Sequence, residues 1–83
     1  MNGPRDPASR AAKRILSYLA RHREAADTAQ GIAAWWLSDA PPVTVAVAES
    51  ALTQLVEQGL VERQALPDGT VIYRGAWARQ QKR

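Results

Sequence analysis

No cysteine occurs among the 83 residues, so neither a disulfide framework nor a thiolate zinc site is available. Histidine occurs once, as His22 between Arg21 and Arg23, and supplies no partner pattern for a catalytic triad or a metal site. A glycine-rich phosphate loop is also missing. The carboxylates are spread from Asp6 to Asp68, several with capping, turn or exposed-helix explanations. These absences predict a non-enzymatic chain without cofactor or metal. No apolar run approaches the roughly 18 residues of a membrane-spanning helix, and no signal-peptide pattern opens the chain. The expectation is a soluble, cytoplasmic protein.

Positive charge is missing from the middle of the chain. Residues 24–62 contain no Lys or Arg and six carboxylates, a balance of −6. Residues 1–23 carry +5 and residues 63–83 carry +4, which leaves the chain at +3. Basic ends around an acidic middle bear on partners rather than on fold. The apolar fraction of 46% is that of an ordinary folded domain, and 83 residues support one small core. There is no internal repeat and no low-complexity segment. The organisation expected is a flexible N-terminus over 1–6, one domain over 7–77, and a flexible basic tail over 78–83.

Asp6-Pro7 marks a helix start, with Asp as N-cap and Pro at the first helical position. Ala8, Ala12, Ile15, Leu16 and Leu19 then share one face, with Ala11 at its edge, and Arg21-His22-Arg23 suits a helix C-terminus. The first helix is predicted over 7–23. Asp27 and Gln30 stand in a capping-box arrangement before a short second helix, which buries Ala29, Ile32, Ala33 and Trp36. Pro41 and Pro42 end that region. Thr44 caps a third helix over 44–58, in which Val45, Ala48, Leu52, Leu55 and Val56 recur at helical spacing. Gly59 suits a left-handed stop, with Leu60 folding back on Leu55. Residues 60–65 and 70–74 read as strands joined by a Pro67-Asp68-Gly69 turn.

Helix, helix, helix and a two-stranded hairpin is the order of the winged helix-turn-helix superfamily. The run from Ala51 to Arg63 resembles its third helix leading into the wing, with Leu52 and Leu55 as buried leucines, Gly59 at the stop and Leu60-Val61 opening the wing. Thr28 to Leu37 resembles its second helix, and the resemblance extends over about Ala8 to Arg74. It implies a mainly α fold with a small β-hairpin. It also implies a DNA-binding regulator whose third helix enters the major groove.

The residues themselves pull against that last implication. The outward face of the third helix shows Ala46, Glu49, Ser50, Thr53 and Glu57, flanked by Val47 and Gln54, with no cation to meet phosphates or base edges. Small side chains on such a face suit close approach of another protein backbone, whereas an ordinary solvated helix face accounts for Glu49 and Glu57 equally simply. The candidate protein interface is therefore Trp35, Ala46, Val47, Glu49, Ser50 and Thr53, toward a protein partner or a second copy. The alternative is DNA binding through the first helix (Arg10, Lys13, Arg14, Arg21), the wing (Arg63, Arg74) and the tail (Arg79, Lys82, Arg83). The same α-helical stripe is also what a simply solvated face would show, or what the acidic block of another copy would seek. Trp35 lies about 100° around the helix from Trp36, so the two rings cannot enter the same core. Trp36 is the core ring; Trp35 and Trp77 are expected to cover the monomer core, with interface anchoring as the alternative.

Overall fold

The computed structural model describes residues 6–38 and 41–76. Helix α1 (Pro7–Arg21) is capped by Asp6, whose carboxylate accepts from the Ser9 backbone N–H at 3.1 Å. It ends at Arg21, two residues before the expected end, because His22 leaves helical geometry while still donating to the Tyr18 carbonyl. The buried face is Ala11, Ala12, Ile15 and Leu19, rotated toward Ala11 from the expected stripe, with Ala8 and Leu16 half-buried at its margins.

A strand precedes the second helix. Strand β1 (Ala26–Asp27) pairs antiparallel with β3 (Val71–Gly75), Ala26 opposite Arg74 and Asp27 opposite Tyr73. On its other edge β3 pairs with β2 (Val61–Ala65), from Val61 opposite Gly75 to Ala65 opposite Val71. The sheet thus has three antiparallel strands in the order β1-β3-β2, which corrects the expectation of a two-stranded hairpin. The physical reason lies in the backbone: a bare hairpin would leave one edge of β3 unpaired, and the α1–α2 connection supplies the missing partners. Alanine and aspartate are poor strand formers, and two residues show no alternation, so the local sequence carries no strand signal.

Helix α2 begins as an α-helical turn (Ala29–Gly31) and continues as a π-helical segment (Ile32–Trp36), in which the Leu37 N–H donates to the Ile32 carbonyl at 3.1 Å. Its cap lies one residue later than the Asp27–Gln30 spacing suggests. Thr28 Oγ1 accepts from the Gly31 N–H at 3.1 Å, and the Asp27 carboxylate accepts from the Thr28 N–H at 2.8 Å. The Asp27 side chain then lies over Gly31 in the space a Cβ would occupy, which is why that position is glycine.

Helix α3 (Val45–Glu57) starts at Thr44, whose hydroxyl accepts from the Val47 N–H at 3.1 Å, and buries Ala48, Ala51, Leu52 and Leu55. Gly59, at φ +78°, stops it in a Schellman geometry. Leu60 N–H donates to the Leu55 carbonyl at 2.9 Å, and Gly59 N–H donates to the Val56 carbonyl at 3.0 Å. An alanine at this left-handed position costs about 1 kcal/mol. The β2–β3 connection closes with Gly69 N–H on the Leu66 carbonyl and Leu66 N–H on the Thr70 carbonyl, Gly69 again taking a positive φ. Ile15, Leu19, Ile32, Leu37, Leu52 and Leu55 are fully buried at the centre, all from the helical half of the molecule, and the sheet covers them with Val61 and Tyr73.

Candidate interaction surface

The two adjacent tryptophans divide as the helical rotation requires, Trp36 entering the core as expected and Trp35 staying out of it. Trp36 is 9% exposed and stacks on Tyr18 of α1, ring centroids 4.7 Å apart and planes 10° apart, while Tyr18 leans on His22 at 4.4 Å. Trp35 is 72% exposed, so the expectation that it covers the monomer core is corrected. One ring of the pair already fills the α1–α2 seam, and its neighbour on the same short helix faces water. Trp77 lies outside the described residues, as do Arg79, Lys82 and Arg83.

On α3, Ala46, Glu49, Ser50 and Thr53 are all exposed, and Val47 is half-buried on the flank facing α1. Three elements distant in sequence meet beside this face. The start of α2 (Thr28, Gln30), the middle of α3 (Glu49) and the hairpin turn with the beginning of β3 (Thr70, Tyr73) enclose a cleft of about 340 Å³. Its lining holds one carboxylate, hydroxyls and an amide, and no Lys or Arg. Sequence reasoning did not assemble this cleft, because nothing local to Thr28 or Thr70 shows that the two lie against Glu49.

The cations have gone elsewhere, and several have internal partners. Arg14 extends from α1 to donate to the Leu37 carbonyl at 3.2 Å, where α2 ends, and to the Pro41 carbonyl at 2.9 Å, in the segment leading into α3. Arg74 meets Glu62, its directly opposed cross-strand neighbour, at 3.3 Å. An exposed pair of this kind contributes roughly 0–1 kcal/mol. The Arg63 guanidinium lies 5.8 Å from the centre of the Tyr73 ring, a cation–π contact across the β2–β3 ladder. Arg10, Lys13 and Arg21 remain exposed along α1. Lys13, Arg14, Ser17 and Arg21 line a shallow cleft with the edge of Trp36, and Arg63, Arg74 and Glu62 line another with Val56 and Gly59. Neither cleft includes Glu49, Ser50 or Thr53.

No family model, curated protein or solved structure is matched by this chain. Among the described residues no helix is long and apolar enough to cross a membrane, and no group of three or more His, Cys, Asp or Glu is placed to hold a metal ion. At the hairpin turn, the Asp68 carboxyl is held below its ordinary value of 3.8, chiefly by the Thr70 backbone N–H at 2.9 Å and then by the Thr70 hydroxyl. That is a turn device of the Asx kind, and it lies outside the α3 face.

Proposed function

We propose that this chain is a non-enzymatic winged helix-turn-helix module that works as a small regulatory or adaptor protein through protein–protein contact, with α3 and Trp35 as its contact surface. The order α1-β1-α2-α3-β2-β3, with β3 in the centre of the sheet, supports the winged-helix reading. One observation carries the functional part: the cleft joining α2, α3 and the hairpin turn presents Glu49 and no cation. A groove-reading surface neutralises phosphates with Lys and Arg, and that neutralisation supplies most non-specific affinity. A carboxylate in that place adds repulsion instead. Exposed Trp35 fits the alternative, since tryptophan is enriched among the residues that anchor protein interfaces.

Titration of random duplex DNA over a salt series tests this reading. The expected result is no saturable binding in the range of about 10⁻⁴–10⁻⁶ M that marks ordinary non-specific binders. The reading is overturned by tight binding that falls steeply with salt and whose slope flattens on charge reversal at Lys13 and Arg74. Lys13 is the better probe on α1, because Arg14 is occupied by the Leu37 and Pro41 carbonyls.

A further inference from the structure

Trp35 is the large hydrophobic side chain that the described residues leave exposed. Elsewhere on the molecule, the start of α1 and the segment leading into α3 form an apolar groove of about 210 Å³ walled by Pro7, Ala11, Pro41, Val43 and Val47. Arg10, exposed, also lines it. We propose that these are the two halves of a homodimer contact: Trp35 of one copy seats in the groove of a second copy, and by two-fold symmetry receives that copy's Trp35 in return. A self-complementary patch of this kind is what an isologous interface requires. The inference rests on the protein-contact reading and names its partner as a second copy of this chain.

Chemistry, charge and position support the pairing. Prolines, an alanine and two valines make up most of the wall, with Arg10, Arg14 and Thr44 as its polar members, and the groove has room for an indole. The Arg10 guanidinium at its edge is placed to meet the face of an inserted ring. Trp35 comes from the block of residues 24–62, with six carboxylates and no cation, while the groove is built against α1, where Arg10, Lys13 and Arg21 are exposed. The charged side chains lining the groove are the cations Arg10 and Arg14, so a ring carried by the stretch with six carboxylates and no cation meets no like charge there. Trp35 does not line the groove of its own copy, so the match is available only between copies.

Sedimentation of the full chain over a concentration series at low salt, with tryptophan emission recorded on the same samples, tests the pairing. A concentration-dependent dimer is expected, with a blue shift in emission as Trp35 leaves water. Trp35→Ala, at a site that is 72% exposed and so harmless to the fold, should raise the dimer dissociation constant at least about 30-fold and abolish the shift. Val47→Phe fills the groove and should weaken association as well. Arg10→Glu, at an exposed position on the groove's edge, provides a second check on the other half of the contact. A chain that stays monomeric at every concentration overturns the proposal. So does a dimer whose dissociation constant is unmoved by Trp35→Ala and Arg10→Glu, although protein contact would then survive as a reading. Failure of that reading is seen separately, in the DNA titration.

Discussion

Single residues in this chain do their structural work by occupying backbone donors. Asp68 accepts from the Thr70 N–H in the hairpin turn, and the interaction holds its carboxyl below 3.8. A carboxyl whose folded-state value is lowered binds fewer protons folded than unfolded, so its stabilisation is complete above 3.8 and is lost as pH falls through the lowered value. Asp68→Ala should therefore melt below the wild-type chain at neutral pH, and the two melting curves should converge as the solution is acidified past 3.8. Thermal melts of both proteins over an acid pH series check this; a gap that persists under acid would place the effect in packing instead. Asp27 occupies a backbone donor at the start of α2, where its carboxylate takes the Thr28 N–H and fills the space over Gly31. Asp27 and Thr28 are adjacent cap-forming residues, and their chemistry alone does not say which of them opens the helix. The choice is made by β1, which draws Asp27 into the sheet opposite Tyr73 and leaves Thr28 to open the helix.

At the scale of elements, whatever depends on local pattern was legible, and whatever depends on a distant edge was not. Asp6-Pro7, Thr44 and Gly59 each carry a cap or stop signal in their own chemistry, and α1 and α3 begin and end within a residue or two of the positions those signals mark. Strand β1 exists because β3 offers an unpaired edge, a fact stored some 45 residues away and invisible in Ala26-Asp27. Arg14 is the same kind of case. Its spacing with Arg10, Lys13 and Arg21 reads as part of a solvated stripe, yet its reach spans from α1 to the end of α2. It is a strut between two helices. Arg14→Met keeps the aliphatic stem but releases the Leu37 and Pro41 carbonyls, and should lower stability by about 1 kcal/mol, the typical net worth of such bonds where solvent is near. Lys13→Met, one position away, should stay within about 0.5 kcal/mol of wild type, as surface substitutions do. Urea unfolding midpoints of the two variants separate a strut from an ordinary surface cation.

For the molecule as a whole, the decisive property is where charge of each sign ends up after folding. The sequence already shows basic ends and an acidic middle, but only the fold brings Thr28, Glu49 and Thr70 together and so fixes the sign of the cleft beside α3. Of the cations on the DNA-binding alternative that lie among the described residues, Arg14, Arg63 and Arg74 have internal partners, and Arg10, Lys13 and Arg21 are exposed along α1. On the proposed reading, in which the sign of this surface disfavours nucleic acid, reversing it should be sufficient to create binding. Glu49→Arg together with Thr53→Arg replaces one carboxylate and one hydroxyl on an exposed helical face, so the fold should be untouched. Each new guanidinium can neutralise one phosphate, and log affinity for duplex DNA should then fall with log salt at a slope of about −1.8. Fluorescence anisotropy of a labelled random duplex, run from low to high salt on wild type and the double variant, measures that slope directly. A variant that remains inert would show that shape, and not charge, bars the α3 face from the groove. The short hairpin turn against α2 would then be the feature to lengthen next.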